Sequence, residues 1–152
     1  MSRRRFCQLA GMPAGLAIAT LAAPTRSASP LQIQPIQPTG LAYAQASLVT
    51  GAQRLLFISG QVPAHADGTV PVAYPDQYRL AWRNVEAQLH AAGMSFDNLV
   101  KVTIFLSDRA LIAQSGGLRQ EILGERSPAL TIIIAGIYDS AWLLEIEAVA
   151  AA

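Results

Sequence analysis

The segment that most constrains this chain runs from Ala129 to Ile137, an apolar run rich in β-branched residues. A run of this length, closed by Tyr138, Asp139 and Ser140 as turn residues, predicts a strand covered on both faces. Beyond the turn, Trp142 to Val149 alternates in polarity. Side chains along a strand point to opposite faces in turn, so Leu144, Ile146 and Ala148 face one way and Glu145 and Glu147 the other. Two residues of strand rise set those carboxylates roughly 7 Å apart. Such a pair is either a solvated face or part of a pocket, and the alternation alone leaves both readings open.

The length of 152 residues predicts one domain in addition to any targeting segment. The formal net charge of +1 hides a division. Arg3, Arg4, Arg5 and Arg26 all precede residue 27, and without them seven basic residues face ten acidic ones. The body of the chain is mildly acidic and offers no general electrostatic case for binding nucleic acid. Cys7 is the one cysteine, which excludes an intrachain disulfide and a multi-cysteine metal site. His65 and His90 have no second histidine at ligand spacing, so neither a metal nor a cofactor is expected.

Residues 1–29 read as an export signal: a basic start, an apolar Ala- and Gly-rich stretch from Leu9 to Ala23, then small residues before Pro30. The stretch is short for a bilayer span, so no stable membrane insertion is expected once it is cleaved. Ser2-Arg3-Arg4-Arg5-Phe6 has the form of a twin-arginine signal, with Arg3 and Arg4 presented to the export machinery. Cleavage near Ala23 or near Ala28 fits equally well. The expectation is a periplasmic protein whose folded domain is residues 30–152.

Within that domain, Leu31 to Pro38 alternates but carries prolines that confine it to an edge strand or arm. Leu41 to Val49 and Arg54 to Ser59 read as strands, the second broken at Gly60-Gln61, where a glycine permits a bulge or a close approach. Pro75 to Ala92 is the clearest helix, with Tyr78, Ala81, Trp82, Val85 and Leu89 in one apolar stripe. Leu99 to Leu106 reads as a strand with Val100, Val102, Ile104 and Leu106 on one face and Lys101, Thr103 and Phe105 on the other. A second helix is expected over Arg109 to Leu123, ended by Gly124. The order β-β-β-helix-β-helix-β-β predicts an α+β domain, a mixed sheet with two helices on one face. A strand apolar on both sides then asks for a second cover, for which a subunit interface is the natural candidate.

Several of these residues fall together in one recognisable order: Tyr43; Phe57-Ile58-Ser59-Gly60-Gln61-Val62-Pro63; Asn84-Val85; Asn98 to Leu106; Pro128-Ala129; Ala135-Gly136; and Glu145-Ile146-Glu147-Ala148. From Thr39 to Ala150 the chain resembles the Rid (YjgF-type) family of small imine and enamine deaminases. The resemblance implies a chorismate-mutase-like subunit and a homotrimer, sheets packed inward, with a small-molecule pocket at each subunit interface. It implies hydrolysis of 2-imino acids to 2-keto acids and ammonia. Carried over residue by residue, it makes Tyr43, Ser59 and Gly60 ligand contacts and Glu145 the group that positions the attacking water. It places Leu130 and Thr131 on the pocket wall. The family motif Pro-Ala-Arg is Pro128-Ala129-Leu130 here, so the arginine that grips a substrate carboxylate is replaced by an apolar side chain.

A buried carboxylate without a partner costs several kcal/mol. The expectation is therefore a hydrolase or deaminase for an imine, enamine or related C–N substrate less anionic than a 2-imino acid. A non-catalytic trimeric ligand-binding or protective protein of the cell envelope is the alternative.

Overall fold

The computed structural model describes residues 29–152; the export-signal reading, including Arg3, Arg4 and Cys7, lies outside the described residues. Six strands and two α-helices follow in the expected order. They are β1 (Gln32–Pro38), β2 (Ala44–Thr50), β3 (Leu55–Gln61), α1 (Tyr74–Ala91), β4 (Leu99–Leu106), α2 (Ile112–Leu123), β5 (Ala129–Ile134) and β6 (Leu144–Ala151). The strands form one sheet in the order β1-β2-β5-β4-β6-β3. β5 runs parallel to both neighbours, β2 and β4, and the remaining pairs are antiparallel. The proline-bearing β1 lies at an edge, where a missing N–H costs no ladder bond.

Both helices pack on the same side of this mixed sheet. Tyr78, Ala81, Trp82, Val85 and Leu89 of α1 and Leu118 and Leu123 of α2 meet Val102, Ile104 and Leu106 of β4 and Leu144, Ile146 and Ala148 of β6. α1 ends as its sequence predicts, with Gly93 in the left-handed region at φ 69°. α2 is entered through a 3-10 turn, Arg109–Leu111, whose first amides are met by the Asp108 carboxylate accepting from Ala110 N at 2.8 Å.

Three local expectations are corrected. The bulge between Leu99 and Lys101 puts Leu99, not Val100, on the buried side of β4. β3 does not stop at Gly60-Gln61 but continues through them with a register shift against β6. β5 ends at Ile134 rather than Ile137, and it is not covered on both faces within the chain, because Ile133 and Ile134 are 44% and 37% exposed. The helices supply one cover only. The opposite face carries Leu55 and Phe57 of β3, 59% and 74% exposed, and, further along the strands, Phe105 and Ile133. An apolar face of this kind is what a further layer of protein ordinarily hides.

Gln77, which a hydrophobic pattern does not flag, is buried in α1. Its Nε2 donates to Pro71 O at 2.7 Å and Ala141 O at 2.9 Å, and its Oε1 accepts from Leu143 N at 2.8 Å. One amide thus ties the helix to the turn that leads into β6.

Tyr74, in the same first turn of α1, joins the two helices, its hydroxyl 2.6 Å from Ser115 Oγ of α2. Burial pushes the Tyr74 phenol from 10.0 up to about 12, against the smaller opposing effect of the Ser115 hydrogen bond. A phenol with a raised folded-state pKa stabilises the fold fully below pH 10 and loses that contribution as pH climbs towards 12. Discounted for residual screening, the loss is about 2 kcal/mol. Urea unfolding at pH 9 and pH 12 should show that fall in the wild type and a smaller one in Tyr74→Phe; an equally steep fall in the variant would contradict the assignment.

Candidate active site

The bare face of the sheet carries the polar residues that a ligand would meet. Glu145 and Glu147 project from β6 opposite Phe105 and Thr103 of β4. Among the described residues neither carboxylate has a side-chain hydrogen bond or ion pair.

Glu145 is positioned by the β3 bulge. The register shift between Ile58 and Gln61 brings Gly60 directly against it. A Cβ built on Gly60 would lie 1.5 Å from Glu145 Oε1 and 2.5 Å from its Cδ. Only glycine leaves room for the carboxylate there, so the close approach that a glycine at this point permits is made by a side chain rather than by another backbone.

Beside this contact, a cavity of about 340 Å³ is lined by Phe57 and Ser59 of β3, Lys101 and Thr103 of β4, and Glu147 and Val149 of β6. Lys101 Nζ donates to Thr131 Oγ1 at 2.5 Å and to the Val102 carbonyl at 3.1 Å. Burial pulls the Lys101 ammonium below the usual lysine range, while the Glu147 charge acts weakly in the other direction. Among the described residues no three acidic, histidine or cysteine side chains converge as metal ligands.

The six residues expected at one pocket are not brought together within one chain. Ser59, Gly60 and Glu145 share the open face, and Thr131 joins them through Lys101. Leu130 pairs with Val102 and packs against the helix-side core, so it does not share a wall with Glu145. Tyr43 lies just before β2, where Ala44 N donates to Pro128 O at 3.0 Å. The Arg119 guanidinium, itself buried, sits 5.4 Å from the Tyr43 ring centroid and donates to Leu41 O at 2.8 and 3.3 Å. Glu145 is level with Phe105 and Ile133, whereas Tyr43 adjoins Ala44, level with Ala129. Strand geometry separates the two by roughly 13 Å along the strands and roughly 14 Å across them.

Lys101 and Thr103 carry no ligand-contact signal beyond the alternation of β4, and the sequence leaves Glu147 open between a solvated face and a pocket; the structure lines the cavity with all three. Arg119 left no sequence signal: a charge inside a Gly-containing helix reads as solvated.

Residues 36–152 match the family model described as Endoribonuclease L-PSP. A RutC family protein of Pyrococcus horikoshii is 35% identical over 101 residues, 65% of this chain and 80% of that protein. A putative reactive intermediate deaminase, TdcF of Escherichia coli, is 40% identical over 55 residues, 36% of this chain and 43% of that one. Among solved structures, a Rid-family protein of unknown function from Yersinia pestis, YyfB, superposes with a TM-score of 0.69 over 80% of this chain and 98% of its own, at 20% identity, which speaks for the fold alone. With the family model spanning nearly all of the described residues and the same α+β sheet underneath, this chain belongs to the Rid (YjgF-type) family.

Proposed function

We propose that this protein hydrolyses the C=N bond of a small imine or enamine, with Glu145 as general base. The observation that carries the reading is the Glu145 carboxylate, unpaired and seated on Gly60 at the bare sheet face. A carboxylate so placed is free to take a proton from water as the oxygen attacks the imine carbon. The nitrogen gains that proton to give the carbinolamine, which collapses as the hydroxyl proton passes to nitrogen through the same carboxylate, releasing ammonia and leaving a carbonyl product. The relative TdcF is named a reactive intermediate deaminase, and release of ammonia is the outcome of the reaction proposed for this chain.

The substrate is less anionic than a 2-imino acid. Leu130 turns towards the helices and offers no charge. On the open face the cation lining the cavity is Lys101, already donating to Thr131 and Val102 and sharing that cavity with Glu147. A forked arginine clamp is absent from that face among the described residues. The excess of acidic over basic residues beyond the first 26 also argues against a polynucleotide substrate, despite the endoribonuclease name of the family model.

The active particle is a homotrimer. Its case rests on two observations: an apolar sheet face with exposed Leu55 and Phe57, and a Tyr43 too far from Glu145 to act with it in one chain. Neighbouring copies would hide the first and complete the second, making the pocket an inter-subunit one.

Ammonia release from enzymatically generated imines tests the chemistry. The wild type should turn over an uncharged aromatic imine and be nearly inactive on 2-iminopropanoate. Glu145→Ala should lose at least roughly a hundredfold. Gly60→Ala, which drives the carboxylate off its seat, should lose up to roughly a hundredfold with little change in melting temperature. Full activity in Glu145→Ala would overturn the base, robust turnover of 2-iminopropanoate would overturn the substrate class, and no turnover of any imine would leave the non-catalytic binding protein.

Location follows from the leader. We place the mature protein in the periplasm, exported through Arg3 and Arg4. Cell fractionation should find it there and find the Arg3→Lys, Arg4→Lys double variant retained in the cytoplasm; equal export of both would contradict the twin-arginine route.

A further inference from the structure

We propose that Lys101 is a nucleophilic amine that condenses with small apolar aldehydes and ketones, holding them as a Schiff base in the cavity between Phe57 and Val149. The inference goes beyond C=N hydrolysis by Glu145 and uses different groups, so either can fail without the other.

Lys101 is the chain's one lysine, and it stands on the face of β4 that lines the cavity rather than on a solvated helix. Its amine is held from two sides, by Thr131 Oγ1 at 2.5 Å and the Val102 carbonyl at 3.1 Å. A neutral amine has two N–H bonds and one lone pair. Those two acceptors take both N–H bonds and leave the lone pair as the remaining direction, in an amine that borders the cavity. A carboxylate lies diagonally across the strand pair at Glu147, yet Lys101 and Glu147 form no ion pair among the described residues. The ammonium form therefore lacks, among the described residues, the ion-pair partner that would otherwise hold its proton. Burial favours the neutral form and outweighs the opposing Glu147 charge.

The cavity supplies the other parts the reaction needs. Phe57 and Val149 give an apolar wall for the carbonyl compound, and Ser59 and Thr103 supply hydroxyls for the oxygen of the addition intermediate. The lone pair of the nitrogen bonds the carbonyl carbon while the C=O π pair moves to oxygen. Glu147 relays the two protons that the nitrogen sheds, one after the other, to that oxygen: the first makes it a hydroxyl and the second lets it depart as water. Water leaves, a C=N bond to Lys101 remains, and no oxidant or reductant takes part. The volume of about 340 Å³ admits a single-ring molecule.

The test uses the full chain with benzaldehyde and cyanoborohydride, which reduces a Schiff base to a stable benzylamine, followed by peptide mass mapping. The expected result is one adduct at Lys101. It should form at least roughly tenfold faster in the native protein than in the same chain unfolded in guanidinium, since an ordinary lysine gains nothing from folding. Glu147→Gln should slow it at least roughly tenfold with the melting temperature unchanged, as removal of a proton-transfer group requires. Lys101→Arg should give none. Labelling confined to the chain terminus, labelling of Lys101 no faster in the folded chain than in the unfolded one, or an unaltered rate in Glu147→Gln would overturn the proposal. Because the adduct is read by mass and not by ammonia, the outcome is independent of whether Glu145 hydrolyses an imine.

Discussion

A six-stranded sheet clad with helices on one side only sets the terms for everything else in this molecule. The buried side is built from α1, α2 and alternate residues of β3, β4 and β6, and it is as apolar as a domain core. The other side keeps Leu55, Phe57, Phe105 and Ile133 among Glu145, Glu147, Lys101 and Thr103. At about 25 cal/mol per Å² of apolar surface, leaving such side chains in water forgoes a large contribution. The chain carries no third layer of its own within the described residues, so cover from further copies is the arrangement its physics favours.

The same one-sidedness explains why the chemistry lies where it does. Polar side chains on a strand buried from both sides would need partners inside the protein. On a face that meets another surface they can serve a ligand instead. β6 is held in place from behind, by Ile146 and Leu144 in the core and by the Gln77 amide at the turn that precedes it. In front, the β3 bulge presents Gly60, and the absent side chain becomes the space in which Glu145 rests. A rigid back and a glycine-lined front together fix a carboxylate without a charged partner to quench it.

Much of this was legible in the residues. The α1 stripe, the alternation of β4 and β6 and the proline-limited edge strand follow from periodicity alone, because each reports contacts made by one element with one core. The family resemblance rested on short motifs in order, and the family match covers the same span. What was not legible depends on pairing between distant strands. The bulge that exchanges Val100 for Leu99, and the one that runs β3 on through Gly60, are set by register against β6. The apolar run after Pro128 read as covered on both faces, and within one chain it is covered on one. Leu130, expected beside Glu145, faces the helices, since its parity on β5 follows that of Val102. Lys101 carried no signal of its own until Thr131 appeared across the strand pair.

What hides the bare sheet face decides whether the pocket is shared between subunits. Sedimentation equilibrium of the mature protein at micromolar concentration measures this directly. A single species of three times the chain mass is the predicted result. A particle of one chain mass, with Phe57 and Leu55 still open to water, would contradict it.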